Sequence, residues 1–168
     1  MLRVFSTFKT HITIDGEEIP IIIKRLTPEE SVVFTRDFGR FGRAVRASAA
    51  APPPEETDDA YAARLVAEEA DEVRSNAFAT DAITRFLSVE AGHLSGDDQE
   101  ITTGADFVRF FAVRDEILAS ALWLIYFENK FSEPDKVRIR AHQQARAEDG
   151  QPAAPAEMSA PMEEVVAG

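Results

Sequence analysis

The stretch from Asp106 to Phe131, DFVRFFAVRDEILASALWLIYFENKF, is the densest apolar run in the chain and constrains everything around it. Thr103 followed three residues later by Asp106 is an N-cap signature, which predicts a helix beginning at Gly104 or Ala105. At about 100° per residue, Phe107, Phe111, Leu118, Leu122 and Ile125 share one side, flanked by Phe110 and Ile117. Arg109 and Glu116 lie opposite. From Ile117 to Phe127 that polar back disappears, because Trp123 and Phe127 occupy the same side. A helix that is apolar all round is buried all round. The apolar span is too short for a bilayer, which takes about 20 residues. It is a central core helix, or one whose Trp123/Phe127 side is covered by another subunit.

Such a helix needs a surface to pack on, and residues 2–26 supply one as a β-hairpin. Leu2, Val4, Phe8, Ile12 and Ile14 alternate on one face, interrupted by Ser6 and Thr10. Asp15-Gly16 provides a turn that tolerates positive φ, and the returning strand places Ile19, Ile21 and Ile23 on one face. A two-residue loop pairs Ile12 with Ile19, and a four-residue loop pairs Ile14 with Ile19. Both match the apolar faces. Pro20 has no N–H to give a ladder, which places its strand at an edge or turns that position towards solvent.

Thr27-Pro28-Glu29-Glu30 opens a helix: Thr caps, Pro takes the first position, Glu the third. Phe34, Phe38, Phe41 and Val45 then form one narrow arc, with Arg36, Arg40, Arg43 and Arg46 on the other side. Gly39 and Gly42 weaken this helix by about 1 kcal/mol each relative to Ala, so something is expected to pack there or approach closely. The arginine stripe is either an ordinary wet face or a docking surface for an acidic partner, such as the 48–100 segment of a neighbouring copy. Residues 48–56 are a Pro/Ala-rich loop, since three consecutive prolines favour an extended backbone. Helical structure resumes at Thr57 and runs to about Ala91, with Gly92 as its stop. A break near Ser75-Asn76 would divide it into two elements. His93 to Gly104 is an acidic loop, with a short strand around Ile101. Residues 132–149 are a charged helix, and 150–168, with three prolines and no aromatic, read as a disordered tail.

The fold class that follows is α+β, mainly α: an N-terminal hairpin, three to five helices, and a tail, with a globular domain over 1–131. Charge is distributed unevenly along the 168 residues. Residues 1–47 hold eight Lys/Arg against six Asp/Glu, and residues 48–100 hold three against thirteen. A mildly basic front and a strongly acidic middle favour head-to-tail association of like subunits, and argue against general nucleic-acid binding, which needs clustered cations. The absence of cysteine removes thiolate chemistry and disulfides, and an N-terminus without an apolar signal core fits a soluble cytoplasmic protein. The three histidines lack a second His at ligand spacing, and no nucleophile elbow, Walker loop or dinucleotide fingerprint occurs. The expectation is a non-enzyme with no cofactor and no metal.

The run ITIDGEEIPIIIKRLTPEE, Ile12 to Glu30, resembles the opening of tail assembly chaperones from long-tailed bacteriophages: a hairpin around D-G-E, an Ile-rich strand, then R-L-T-P-E-E starting a helix. The motif covers about 20 residues, and the remainder is similar in layout. That resemblance implies a host-cytoplasmic protein that oligomerises and binds the long, helical tape measure protein during tail morphogenesis, with no site residues common to the family. Arg36, Phe38, Arg40, Phe41 and Arg43 are the expected contacts with a partner or a second copy, and Trp123 and Phe127 the expected subunit interface. The alternatives are a structural virion component, such as a connector or tail-completion protein, and a small nucleic-acid-binding regulator acting through Arg36 to Arg46.

Overall fold

The computed structural model describes residues 6–49 and 55–150. The chain is mainly helical behind an N-terminal hairpin, as its patterning predicts. Strands β1 (Thr7–Ile14) and β2 (Glu17–Lys24) pair antiparallel in the two-residue register, Ile12 opposite Ile19 and Ile14 opposite Glu17. Asp15 and Gly16 both take positive φ, 51° and 85°, which gives the connection the twist the flanking strands require. A third strand, β3 (Leu87–Val89), pairs with Ile21–Ile23, so β2 is central. Of the two placements open to Pro20, the edge strand is therefore not the one found. Pro20 is tolerated because β3 stops at Val89; beyond it the Pro20 carbonyl accepts from Glu90 N–H at 3.1 Å, and no reciprocal donor is needed.

Helix α1 (Pro28–Ala49) starts at the capping box read from the sequence: Thr27 N–H donates to Glu30 Oε2 at 2.9 Å and Glu30 N–H to Thr27 Oγ1 at 3.2 Å. Helix α2 (Asp58–Phe86) is continuous through Ser75-Asn76. Those two residues have modest helix propensity, but neither is Gly or Pro, and a few tenths of a kcal/mol each does not break a helix. It stops five residues earlier than expected, because Leu87-Ser88-Val89 leaves the helix to complete the sheet. The short strands β4 (Ser95–Gly96) and β5 (Gln99–Glu100) form a small hairpin whose turn residues Asp97 and Asp98 both have positive φ. Ile101 follows β5 and is buried.

The single helix expected over 106–131 is two: α3 (Gly104–Phe110) and α4 (Asp115–Lys130). Thr103 caps the first, accepting from Asp106 N–H at 3.1 Å. Residues 111–114 turn, and Arg114 starts the second by offering its carbonyl to Ile117 and Leu118. The Arg114 guanidinium also reaches Asp15 at 2.9 Å and Glu116, which joins the hairpin turn to the α3–α4 link. The hydrogen bond and charge of Arg114 hold the Asp15 carboxyl below its ordinary pKa.

The core lies between the isoleucine face of the sheet and α2, α3 and α4. Ile12, Ile14, Ile19, Ile21 and Ile23 are buried there with Ile83, Phe86, Phe107, Phe111, Leu122 and Ile125. Each such side chain contributes roughly 1.5–3 kcal/mol relative to exposure. Asn129 anchors the end of β2 to α4. Its Oδ1 accepts from Leu26 N–H at 2.8 Å, and its Nδ2 donates to the carbonyls of Lys24 and Ile125 at 3.2 and 3.0 Å. Asn129→Ala strands partly buried backbone groups, so a loss of about 1–3 kcal/mol is expected in urea unfolding; a change under 0.5 kcal/mol would mean water replaces the amide without cost.

By contact density the chain divides after Asn129. The second unit contains α5 (Glu133–Glu148), capped by Ser132, which accepts from Asp135 N–H at 3.4 Å, with Pro134 in its first turn. Lys136, buried, pairs with Glu133 at 2.8 Å. The tail expected over 150–168 lies outside the described residues after Gly150, as do Leu2 and Val4 of the hairpin and most of the Pro/Ala-rich loop.

Candidate interaction surface

Helices α1 and α2 run antiparallel, joined by aromatic contacts that fix which sides face each other. Phe34 meets Phe78 at 5.4 Å between ring centroids and Phe86 at 6.3 Å, and Phe41 meets Phe78 at 6.4 Å. Phe38 stacks on Tyr126 of α4 at 4.6 Å and 14°. The expected partner contacts Phe38 and Phe41 are thus half-buried members of an internal aromatic cluster. Glu30 strengthens the same junction: its carboxylate lies 3.4 Å from Arg85 of α2 and 3.9 Å from Lys24 of β2. The Thr27 N–H bond, aided by those cations, lowers the Glu30 pKa.

The arginine stripe is where its periodicity puts it, on the side of α1 away from Phe34 and Phe41. Arg36, Arg40 and Arg43 are exposed. Asp37 is the carboxylate beside them, 3.0 Å from Arg36 and 3.9 Å from Arg40. The two glycines in this stretch do not mark a close approach. A Cβ at Gly39 would meet the Arg43 guanidinium at 3.7 Å, and one at Gly42 the Arg46 guanidinium at 3.9 Å; both are ordinary contacts with mobile side-chain ends. Gly39→Ala and Gly42→Ala should each stabilise the protein by about 0.5–1 kcal/mol, read as a higher thermal midpoint.

Trp123 and Phe127 sit differently from the subunit face expected of them. They are 9% and 3% exposed, and Trp123 lies 5.8 Å from both Tyr126 and Phe127. Of the two readings of the apolar run, the buried core helix is the one found, and little of that side remains to offer a second subunit.

The surface that sequence reading underrated is the first half of α2. Tyr61, Leu65, Val66 and Val73 are 50, 44, 69 and 63% exposed. The first two and Val73 are visible as a thin stripe in the sequence, but a stripe alone does not say that its neighbour is missing. Around it lie exposed Glu69 and Glu72. Arg64, on the same helix, is held by Glu56 at 2.9 Å and Glu68 at 2.8 Å and packs its guanidinium 5.2 Å from the Tyr61 ring. Four large exposed apolar side chains within four turns of one helix are a concentrated patch for a small protein.

Among the described residues no group of His, Asp and Glu could hold a metal ion, and no buried polar side-chain atom lacks a hydrogen-bond partner. His11, His93 and His142 are exposed on separate elements. A groove of about 300 Å³ beside β3 is lined by Lys24, Arg85, Ser88, Thr102 and Thr103, among others, with no carboxylate or imidazole; both of its cations are turned to Glu30. No helix among the described residues is long and apolar enough to cross a membrane. Comparison with known proteins adds no relative: no family model matches the chain, and neither a curated protein nor a solved structure is significantly similar to it.

Proposed function

We propose that this chain is a non-enzymatic assembly chaperone of the phage-tail type, which binds a long helical partner through its α1–α2 arm. The observation that carries the reading is the exposed patch Tyr61, Leu65, Val66 and Val73 on a helix that gives the core Ala79, Ala82, Ile83 and Phe86 only near its C-terminal end. Amphipathic helices dock on such surfaces by their apolar side chains, and charged neighbours set the register. The net charge of −12 keeps a complex with an aggregation-prone helix dissolved. The tail-assembly assignment rests on the resemblance of Ile12 to Glu30, and the tape measure protein is the partner it implies.

The test is co-expression with a tape measure protein of a long-tailed bacteriophage, followed by affinity purification. A stable complex that is lost with Leu65→Asp/Val66→Asp, while the helical circular dichroism is retained, is the expected result. A partner that stays insoluble with the chain present, or recovery of the chain as a permanent part of purified particles, would overturn it.

A further inference from the structure

Strand β1 lies at an edge of its sheet, and its outer side carries backbone groups that pair with no other strand among the described residues. Arg25 N–H donates to the Ser6 carbonyl at 2.9 Å, which fixes the phase of the β1–β2 ladder. Residues in step with Ser6, namely Phe8, Thr10, Ile12 and Ile14, turn N–H and C=O towards β2. Pro20 agrees from the other side. Its carbonyl accepts from Glu90, just past β3, so its cross-strand partner His11 faces the opposite way. Thr7, Lys9, His11 and Thr13 therefore aim their N–H and C=O groups away from the sheet.

Edges of this kind are usually blunted by shortness, proline, bulges or charge. β1 runs eight residues in continuous register with β2, with neither proline nor bulge, and Lys9 is its one formal charge. Another extended backbone completes such an edge, because it presents donors and acceptors at the same spacing. The side chains narrow the choice. Thr7, Lys9, His11 and Thr13 are exposed on the outer face, where a carboxylate opposite Lys9 is favoured. Arg25 lies 4.7 Å from the Phe8 ring centroid, a second cation near the same end. On the inner face Ile12 and Ile14 are buried but Phe8 and Thr10 only half-buried, so apolar surface remains there for an inward side chain to cover. The β1 edge of another copy fits poorly, since it brings a lysine and no carboxylate.

We infer that β1 takes up an extended, acidic segment of a partner protein as a fourth strand of this sheet. The inference goes beyond the proposed function: it uses a different surface, and it takes an extended segment instead of a helix.

An acetylated peptide as long as β1, alternating valine and glutamate, tests it when titrated into the full chain and followed by amide NMR. Before addition, the N–H groups of Thr7, Lys9, His11 and Thr13 should exchange faster than those of Phe8, Thr10 and Ile12. With peptide, the largest shifts and the new protection should fall on those four. Lysine in place of glutamate in the peptide should weaken binding about threefold or more, because like charges oppose each other across a strand pair. Methylating every backbone nitrogen of the peptide should abolish binding. His11→Pro removes one outward donor that the β1–β2 ladder does not use, and should weaken binding about threefold or more with the hairpin retained. Leu65→Asp/Val66→Asp should leave peptide binding unchanged, so this contact and the α2 contact stand or fall separately. Shifts absent from those four amides, binding indifferent to the peptide's charge, or binding that survives methylation of the peptide would overturn the inference.

Discussion

Gly104→Ala is expected to cost about 3 kcal/mol or more, although Ala is the better helix former by up to about 1 kcal/mol. Gly104 is the first residue of α3 and is buried where that helix begins beside the last turn of α2. A Cβ there would stand 2.6 Å from the Leu87 carbonyl oxygen, 2.9 Å from Thr84 Cα, and closer still to the Ile83 carbonyl oxygen. All three are backbone atoms, so no rotamer change relieves them. Moving α3 outward is resisted on its N-terminal side, where Val89 N–H donates to the Thr102 carbonyl at 2.9 Å and Ser88 bridges Thr103. The same substitution at Gly39 meets only a mobile guanidinium and should stabilise. Chemical denaturation of the two variants therefore has to give opposite signs. A neutral or stabilising Gly104→Ala would mean that α3 can slide off α2 freely.

The contrast shows which parts of this structure were legible in advance. The β1–β2 turn and the α1 start were readable because the determinants are adjacent in sequence: Asp15-Gly16 at positive φ, and Thr27 with Glu30 in a reciprocal cap. The choice between two hairpin registers was not readable, since both align isoleucines. Strand β3 escaped notice because Leu87-Ser88-Val89 becomes a strand by pairing with Ile21–Ile23, more than sixty residues earlier. The break between α3 and α4 has no Gly or Pro to announce it; Phe111 caps α3, and Arg114 opens α4 with its carbonyl while its guanidinium holds Asp15 and Glu116. In the candidate interaction surface, the arginine stripe was legible from periodicity alone. The openness of Tyr61, Leu65 and Val66 was not, because sequence gives the face a residue occupies and not whether another element reaches it.

Phe107→Ala should destabilise by about 3–5 kcal/mol, a fall in thermal midpoint on the order of 10–20 °C for a domain of this size. Phe107 is fully buried, with its ring 4.7 Å from that of Phe111 and tilted 52° to it. Truncation leaves a cavity under a helix that packs against α2 and β3, whose backbone pairing resists collapse into it. Phe110, three residues on, is 41% exposed and packs edge-on to Phe111 at 5.0 Å, covering Gly96 of the small hairpin. Its removal gives up less buried area, so Phe110→Ala should cost well under half as much. The ratio is a test of the helix break itself. In one unbroken helix Phe107 would lie on the buried stripe with Phe110 flanking it beside Ile117, so both would be covered and cost similar amounts; with α3 ending at Phe110, the chain turns inward at Phe111 and leaves Phe110 at the rim. Equal losses for the two variants in urea unfolding would therefore contradict the α3–α4 turn, whatever their absolute size.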